Sequence, residues 1–135
     1  MYGPGDAGRV IPMVLDAYLK GYPVSLFDIH QKRNFVHIDT VLFSLLEFDK
    51  VLKKSINLMN IGSTESISIH TLLHLIGAIL QKDIPNTITL DGNDILGDEH
   101  WDLDITLFQE TLAQDEGTSR EIFTSFIQSY AKNVL

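Results

Sequence analysis

Residues 21–39 read GYPVSLFDIHQKRNFVHID, and the character of this stretch decides what kind of fold the chain has. Gly21 is a good helix stop, and Pro23 cannot continue a helix, so a new element begins after them. Val24-Ser25-Leu26-Phe27 is rich in strand-forming residues and predicts a short strand. A turn or loop is expected over Asp28–Lys32, and a second strand over Phe35-Val36-His37-Ile38. Asp39 carries a preferred N-cap side chain, and Val41, Leu42, Leu45, Leu46 and Leu52 follow as the apolar positions of a helix. Two short strands and a helix in so few residues point to a mixed α/β chain.

On the N-terminal side, Val10, Ile11, Val14, Leu15 and Tyr18 recur at helical spacing and predict a helix over residues 10–20. Pro12 falls in its first turn, where a missing N–H costs nothing. After Met1 comes Tyr2-Gly3-Pro4-Gly5-Asp6, which is turn chemistry and ordinarily joins two ordered elements. On the C-terminal side, Leu58-Met59-Asn60-Ile61 predicts a strand ending at Gly62. Ser68 is placed to cap a helix whose face is Ile69, Leu72, Leu73, Ile76, Ile79 and Leu80. Ile88-Thr89-Leu90 predicts a small strand, residues 91–104 an acidic loop, and Leu107, Phe108 and Leu112 a short helix. Thr118 and Glu121 have capping-box spacing ahead of Ile122, Phe123, Phe126, Ile127 and Tyr130. Four amphipathic helices against three or four short strands leave apolar surface in need of a partner.

Composition sets outer bounds. A chain of 135 residues, 44% hydrophobic and 21% charged, is one globular domain's worth. It has no cysteine, which removes disulfides, thiolate catalysis and Cys-based zinc sites. Its formal charge of −8 gives no global attraction to nucleic acid, while a local phosphate site remains open. No apolar run approaches a membrane span, and no signal-peptide pattern opens the chain. A cytoplasmic location is the expectation.

The pieces YGPGD, then VIP opening a helix, then GYPVSLF, RNFVHID and MNIGS, occur in an order that resembles the C-terminal, substrate-binding half of the extended short-chain dehydrogenase/reductases. These are the NAD-dependent nucleotide-sugar epimerases, dehydratases and reductases. The resemblance runs from Tyr2 to about Leu80 and continues weakly to the C-terminus. It implies a partial Rossmann-type α/β fold, mainly the small substrate domain, with residues 1–135 as one partial domain. It also implies that the dinucleotide-binding part would precede the YGP loop, with Met1 an internal methionine of a longer frame. No G-x-x-G-x-x-G is present, and none of Tyr2, Tyr18, Tyr22 and Tyr130 stands four before a lysine. NAD or NADP would serve the complete enzyme, and none is expected to bind this chain alone.

The same resemblance implies site residues. Arg33 would meet the diphosphate of a nucleotide sugar, a role suited to a planar, always-charged donor of parallel hydrogen bonds. Gln31-Lys32-Arg33 is the chain's dense basic spot; a solvated loop cation is the plain alternative. Ser25 and Phe27 would line the nucleotide base, and a buried strand would explain Phe27 as well. Val10, Ile11 and Pro12 would border the substrate pocket, though packing alone accounts for Val10 and Ile11. Asn34 stands where aspartate is usual, losing a charge but keeping an acceptor. The glycine-rich turn before the arginine is shortened to Phe27-Asp28-Ile29-His30-Gln31, and His100-Trp101-Asp102-Leu103-Asp104 lacks the family's second arginine.

Other candidates have plainer readings. His70 and His74 have the spacing of a two-histidine clamp but no third ligand, so a solvated pair is expected. Asp91, Asn93, Asp94, Asp98 and Glu99 do not match an EF-hand loop. Two readings of function follow. One is the substrate-holding part of a nucleotide-sugar enzyme, not catalytic alone. The other is a non-catalytic nucleotide-sugar-binding module, or an inert or interaction fragment. The partners implied are a nucleotide diphosphate-sugar and a separate Rossmann-domain chain or a homo-oligomer, with no nucleic acid and no membrane.

Overall fold

A computed structural model describes residues 1–49, 58–91, 103–112 and 119–134. Helix α1 (Val10–Lys20) forms where the apolar spacing places it and ends at Gly21, whose φ of 72° is left-handed. That conformation lets the Gly21 N–H reach the Ala17 carbonyl at 3.1 Å and close the last turn. Strand β1 (Val24–Leu26) follows directly and buries Val24 and Leu26 while exposing Ser25. Its partner is β4 (Ile88–Leu90), in parallel register from Val24 opposite Ile88 to Leu26 opposite Leu90.

A second two-stranded sheet is antiparallel. It pairs β2 (Lys32–Asn34) with β3 (Ser66–Ser68), Arg33 standing opposite Ile67. Helix α2 (Ile38–Leu46) follows β2 in the chain, and α3 (Ile69–Leu80) emerges straight from β3. Ser68 caps α3 by accepting a hydrogen bond from the Thr71 N–H at 3.1 Å. Two further helices, α4 (Thr106–Thr111) and α5 (Ser119–Val134), complete the described chain.

The main core lies where α1, α3 and α5 meet. Val14, Leu15, Leu72, Leu73, Ile76 and Ile127 are fully enclosed there. Tyr18 spans the α1–α3 boundary, its hydroxyl donating to the Leu73 carbonyl at 2.9 Å, and the Tyr130 hydroxyl joins α5 to Asp16 of α1 at 3.0 Å. Gly77 is required at this seam: a Cβ there would stand 2.8 Å from the Lys82 carbonyl oxygen and 3.1 Å from the Tyr18 hydroxyl. A smaller cluster of Ile105, Phe108 and Leu112 packs under Phe43 of α2 and under Met59 and Ile61.

Several expectations are corrected. The second strand lies at 32–34 rather than 35–38, because the register with Ser66–Ser68 claims those residues. Residues 36–38 instead hold Tyr2: its N–H donates to the Val36 carbonyl at 2.9 Å, and the Ile38 N–H donates to its carbonyl at 2.8 Å. This is a single parallel bridge between Tyr2 and His37. His37, not Asp39, caps α2, since its Nδ1 accepts the Asp39 N–H at 3.2 Å. Leu58–Ile61 is not a strand among the described residues, while Ser66–Ser68 is one. The apolar stripe expected on α2 does not face the core: its buried residues are Thr40 and Ser44. Leu52, residues 92–102 and the Thr118 end of the capping box lie outside the described residues.

Candidate functional site

The loop from β1 to β2 runs between two of the sequence candidates, Phe27 just after β1 and Arg33 within β2. Asp28 takes a left-handed φ of 51°, and the Gln31 N–H reaches back to the Asp28 carbonyl at 3.1 Å, so the chain reverses tightly. The turn thus closes without a glycine. α3 fixes it from behind, the His70 N–H donating to the Ile29 carbonyl at 3.0 Å. Ile29 and Gln31 point inward, and His30 outward.

Phe27 leaves the end of β1 with 54% of its surface exposed. Ser25 is also exposed, one residue inside the strand. A large aromatic this open at a strand end is not core packing, so the buried-strand explanation of Phe27 does not hold. Arg33 is exposed in the middle of β2, and among the described residues no carboxylate pairs with it. Arg9 makes the contrast: it is tied to Asp6 at 3.1 Å and to the Met1 carbonyl at 3.1 Å. Successive strand residues point to opposite faces, so Lys32 and Arg33 do not converge on one ligand, and the basic spot reduces to Arg33 on its face.

Arg33 stands opposite Ile67, which with Phe35, Phe123, Glu65 and Arg120 lines a cleft of about 120 Å³ between the β2–β3 ribbon and α5. Arg33, Ser25 and Phe27 do not themselves line this cleft. Ile11 and Pro12 are buried among the core residues of α1, and Val10 is half-buried at its start. All three take part in the packing of α1.

Two residues that sequence reasoning undervalued stand beside Arg33. Asn34 uses both ends of its amide: Nδ2 donates to the Ser63 carbonyl at 2.8 Å, and Oδ1 accepts the Ser63 N–H at 2.7 Å. It pins the chain after Gly62 to the ribbon, and its donor half is something an aspartate would not supply. Gln31 is only 4% exposed, yet its Oε1 and Nε2 meet no hydrogen-bond partner among the described residues. A buried amide left unpaired is costly, so this turn holds polar capacity that the described fold does not use. A glutamine two residues before an arginine gives no local signal of burial.

Other candidates resolve plainly. His70 and His74 are exposed on α3 with ring centroids 4.7 Å apart, and His30 lies 6.1 Å from His70. Among the described residues no group of three potential ligands could hold a metal. Asp104 accepts the Thr106 N–H at 3.0 Å at the start of α4, and this bond, followed by one from the Thr106 side chain, holds its carboxyl below the ordinary value. His37 is buried, with the rings of Tyr2 and Phe126 edge-on at 5.0 and 5.6 Å. No helix among the described residues is long and apolar enough to cross a membrane.

No protein-family model matches the chain, and no curated protein matches it. Solved structures do. MoeE5 in complex with UDP-glucose and NAD superposes with a TM-score of 0.79 at 21% identity, over 99% of this chain and 45% of that one. The dTDP-glucose 4,6-dehydratase of Bacillus anthracis, in complex with NAD, gives 0.74 at 20% identity, over 98% and 42%. The UDP-glucuronic acid 4-epimerase of Bacillus cereus, also with NAD, gives 0.69 at 22% identity, over 98% and 41%. The chain therefore has part of the Rossmann-type fold of these nucleotide-sugar enzymes, and it spans less than half of their length.

Proposed function

We propose that this chain is the substrate-holding part of an NAD(P)-dependent nucleotide-sugar epimerase, dehydratase or reductase, residues 1–135 forming one partial domain. Arg33 carries the reading. It is an exposed guanidinium without a carboxylate partner among the described residues, in an acidic chain, on a rigid ribbon joined to Phe27 by a tight turn. A diphosphate is the ligand that such a group recognises by paired, charge-assisted hydrogen bonds. Phe27 offers an open aromatic face and Ser25 an open hydroxyl for the base. Holding the nucleotide in this way would orient the sugar for chemistry done elsewhere.

No dinucleotide is expected to be held by this chain alone. The glycine-dense turn at Gly3–Gly8 opens α1 but follows only the single Tyr2–His37 bridge and not a strand, and β1 runs through a tight turn into another strand instead of opening a helix whose N-terminus could face a pyrophosphate. No hydride step is assigned to these residues.

The test is calorimetric titration with dTDP and UDP, comparing the native chain with Arg33→Ala and Arg33→Lys. A charge-assisted contact contributes about 1.5–3 kcal/mol, so Arg33→Ala is expected to weaken binding by roughly 10- to 100-fold. Arg33→Lys keeps the charge but loses the paired geometry and is expected to fall between. Equal affinity in native chain and Arg33→Ala, or no binding at all, sinks the reading. The alternative, an interaction module, draws on a different feature: the outward leucines of α2.

A further inference from the structure

We infer that the cleft between the β2–β3 ribbon and α5 is a binding site for a small apolar α-amino acid of about leucine size, with Arg120 meeting its carboxylate and Glu65 its ammonium group. Arg33, Ser25 and Phe27 take no part in lining this cleft, so its occupancy is independent of the nucleotide reading.

The floor of the cleft is apolar. Phe35 follows β2, Ile67 lies in β3, Leu75 comes from α3 and Phe123 from α5, and Tyr2 joins them. Tyr2 and Phe123 are buried, whereas Phe35, Ile67 and Leu75 pack on the main core and stay only half-buried. The core is therefore open at this point, over a gap of about 120 Å³. An apolar cavity of about 150 Å³ admits a benzene molecule, so this gap suits a branched four-carbon side chain and is small for an indole. Filling it removes apolar surface from water on both partners.

Four polar side chains line the same cleft: Ser63, Glu65, Thr71 and Arg120. Two of them are already committed. The Ser63 hydroxyl accepts the Glu65 N–H at 3.3 Å, and Thr71 Oγ1 lies 2.9 Å from Ser68 Oγ. Glu65 and Arg120 are exposed, and among the described residues neither enters an ion pair, with the other or with any third group. Opposite charges that share a cleft without neutralising each other fit a ligand that carries both. An apolar carboxylate alone would set its anion against Glu65, and an apolar amine would set its cation against Arg120. An α-amino acid bears both charges and its apolar body on one carbon. Arg120 then takes the carboxylate by paired hydrogen bonds, Glu65 takes the ammonium, and the body enters the apolar gap.

The probe is L-leucine, titrated into the isotope-labelled 135-residue chain and followed by the amide NMR shifts of Ile67, Leu75 and Phe123. Isocaproate, which is leucine without the ammonium, and isoamylamine, which is leucine without the carboxylate, are titrated in parallel. Leucine is expected to give saturable shifts at these positions with a Kd of about 1 mM, the scale for a ligand of so few atoms. Each analogue is expected to bind about fivefold more weakly, for the loss of one partly solvated charge pair. Glu65→Gln should weaken leucine to the level of isocaproate without weakening isocaproate, and Arg120→Gln should weaken leucine to the level of isoamylamine without weakening isoamylamine. Both side chains are exposed, so neither substitution disturbs the core. Arg33→Ala should leave leucine binding unchanged while it weakens dTDP, which keeps the two sites apart. Flat shifts with leucine in large excess overturn the assignment. Equal binding of leucine and both analogues also overturns it, because the cleft is then an apolar gap without charge recognition, and so does leucine binding that survives both Glu65→Gln and Arg120→Gln.

Discussion

Helices α2 and α3 are built from nearly the same material and do opposite things with it. Both are rich in leucine and isoleucine at helical spacing. In α3 that spacing seals Leu72, Leu73 and Ile76 completely against α1 and α5. In α2 it turns Leu42, Leu45 and Leu46 to the outside and buries Thr40 and Ser44. Periodicity establishes that a helix exists and that one side of it is apolar. It does not say what covers that side. The cover for α3 comes from residues before and after it in this chain. Among the described residues, the leucine side of α2 stays largely uncovered, while Phe43 packs on Ile105, Phe108 and Leu112.

If that contrast is sound, truncation should be far more costly in α3. Leu72→Ala is expected to destabilise the chain by about 3 kcal/mol, the usual range for a sealed leucine whose site cannot collapse. Urea unfolding monitored by circular dichroism reads it directly. A loss under about 1 kcal/mol would mean that the α1–α3–α5 core is loose, and the two helices would no longer differ in kind.

The elements with strong local punctuation are legible in the sequence itself. α1 has Gly21 and Pro23 at its end, α3 has Ser68 at its start, and β1 and β4 are short β-rich runs between turn residues. The ribbon is not legible, because Ser66-Ile67-Ser68 has no strand signature and becomes a strand only by pairing with Lys32–Asn34. Leu58–Ile61 fails the other way: it has strand chemistry, but propensity cannot supply a ladder partner. In the candidate site, the charge and type of Arg33 are readable, as is the aromatic at Phe27. That Ile11 and Pro12 are buried, and that Asn34 clasps Ser63 across 29 residues, depends on tertiary placement that no local pattern encodes.

The Asn34–Ser63 clasp joins the ribbon to the segment leading from the exposed side, so it tests whether the two regions are coupled. Asn34→Asp removes the donor to the Ser63 carbonyl and sets a carboxylate beside it. A loss of about 1–2 kcal/mol is expected at neutral pH. The deficit should shrink as the pH falls through about 4, where a protonated aspartate regains a donor. A pH-independent deficit would show that the lost hydrogen bond is not the cause.

The sealed region also carries an alkaline limit. Burial raises Tyr2, burial and then Asp83 raise Tyr18, and burial followed by the hydrogen bond to Asp16 raises Tyr130. Each therefore holds its proton more tightly folded than unfolded. Their contribution is fully present below the unfolded value of about 10 and declines as the pH rises through the raised folded values. Phenolate absorbance should lag behind that of the urea-unfolded chain above pH 10. Tyr18→Phe, which loses the bond to Leu73, is expected to cost about 1 kcal/mol at pH 7 and to soften the alkaline decline. Coincident phenolate titration of folded and unfolded chain would break this account.

The smallest expected effect is the most telling one for α2. Leu45→Ala deletes as many carbons as Leu72→Ala, from a helix of similar composition. Yet Leu45 keeps most of its surface in water, so little transfer energy is lost and no cavity is left. Alanine is also at least as good a helix former at an exposed position. The 135-residue chain should therefore change by no more than about 0.5 kcal/mol in urea, the range for surface substitutions. A loss comparable to that of Leu72→Ala would mean that Leu45 is enclosed in solution, and the difference between the helices would vanish. A near-zero effect leaves it standing: the apolar side of α2 then contributes nothing to the stability of this chain by itself, which is the behaviour of a surface whose energetic partner lies outside the described residues.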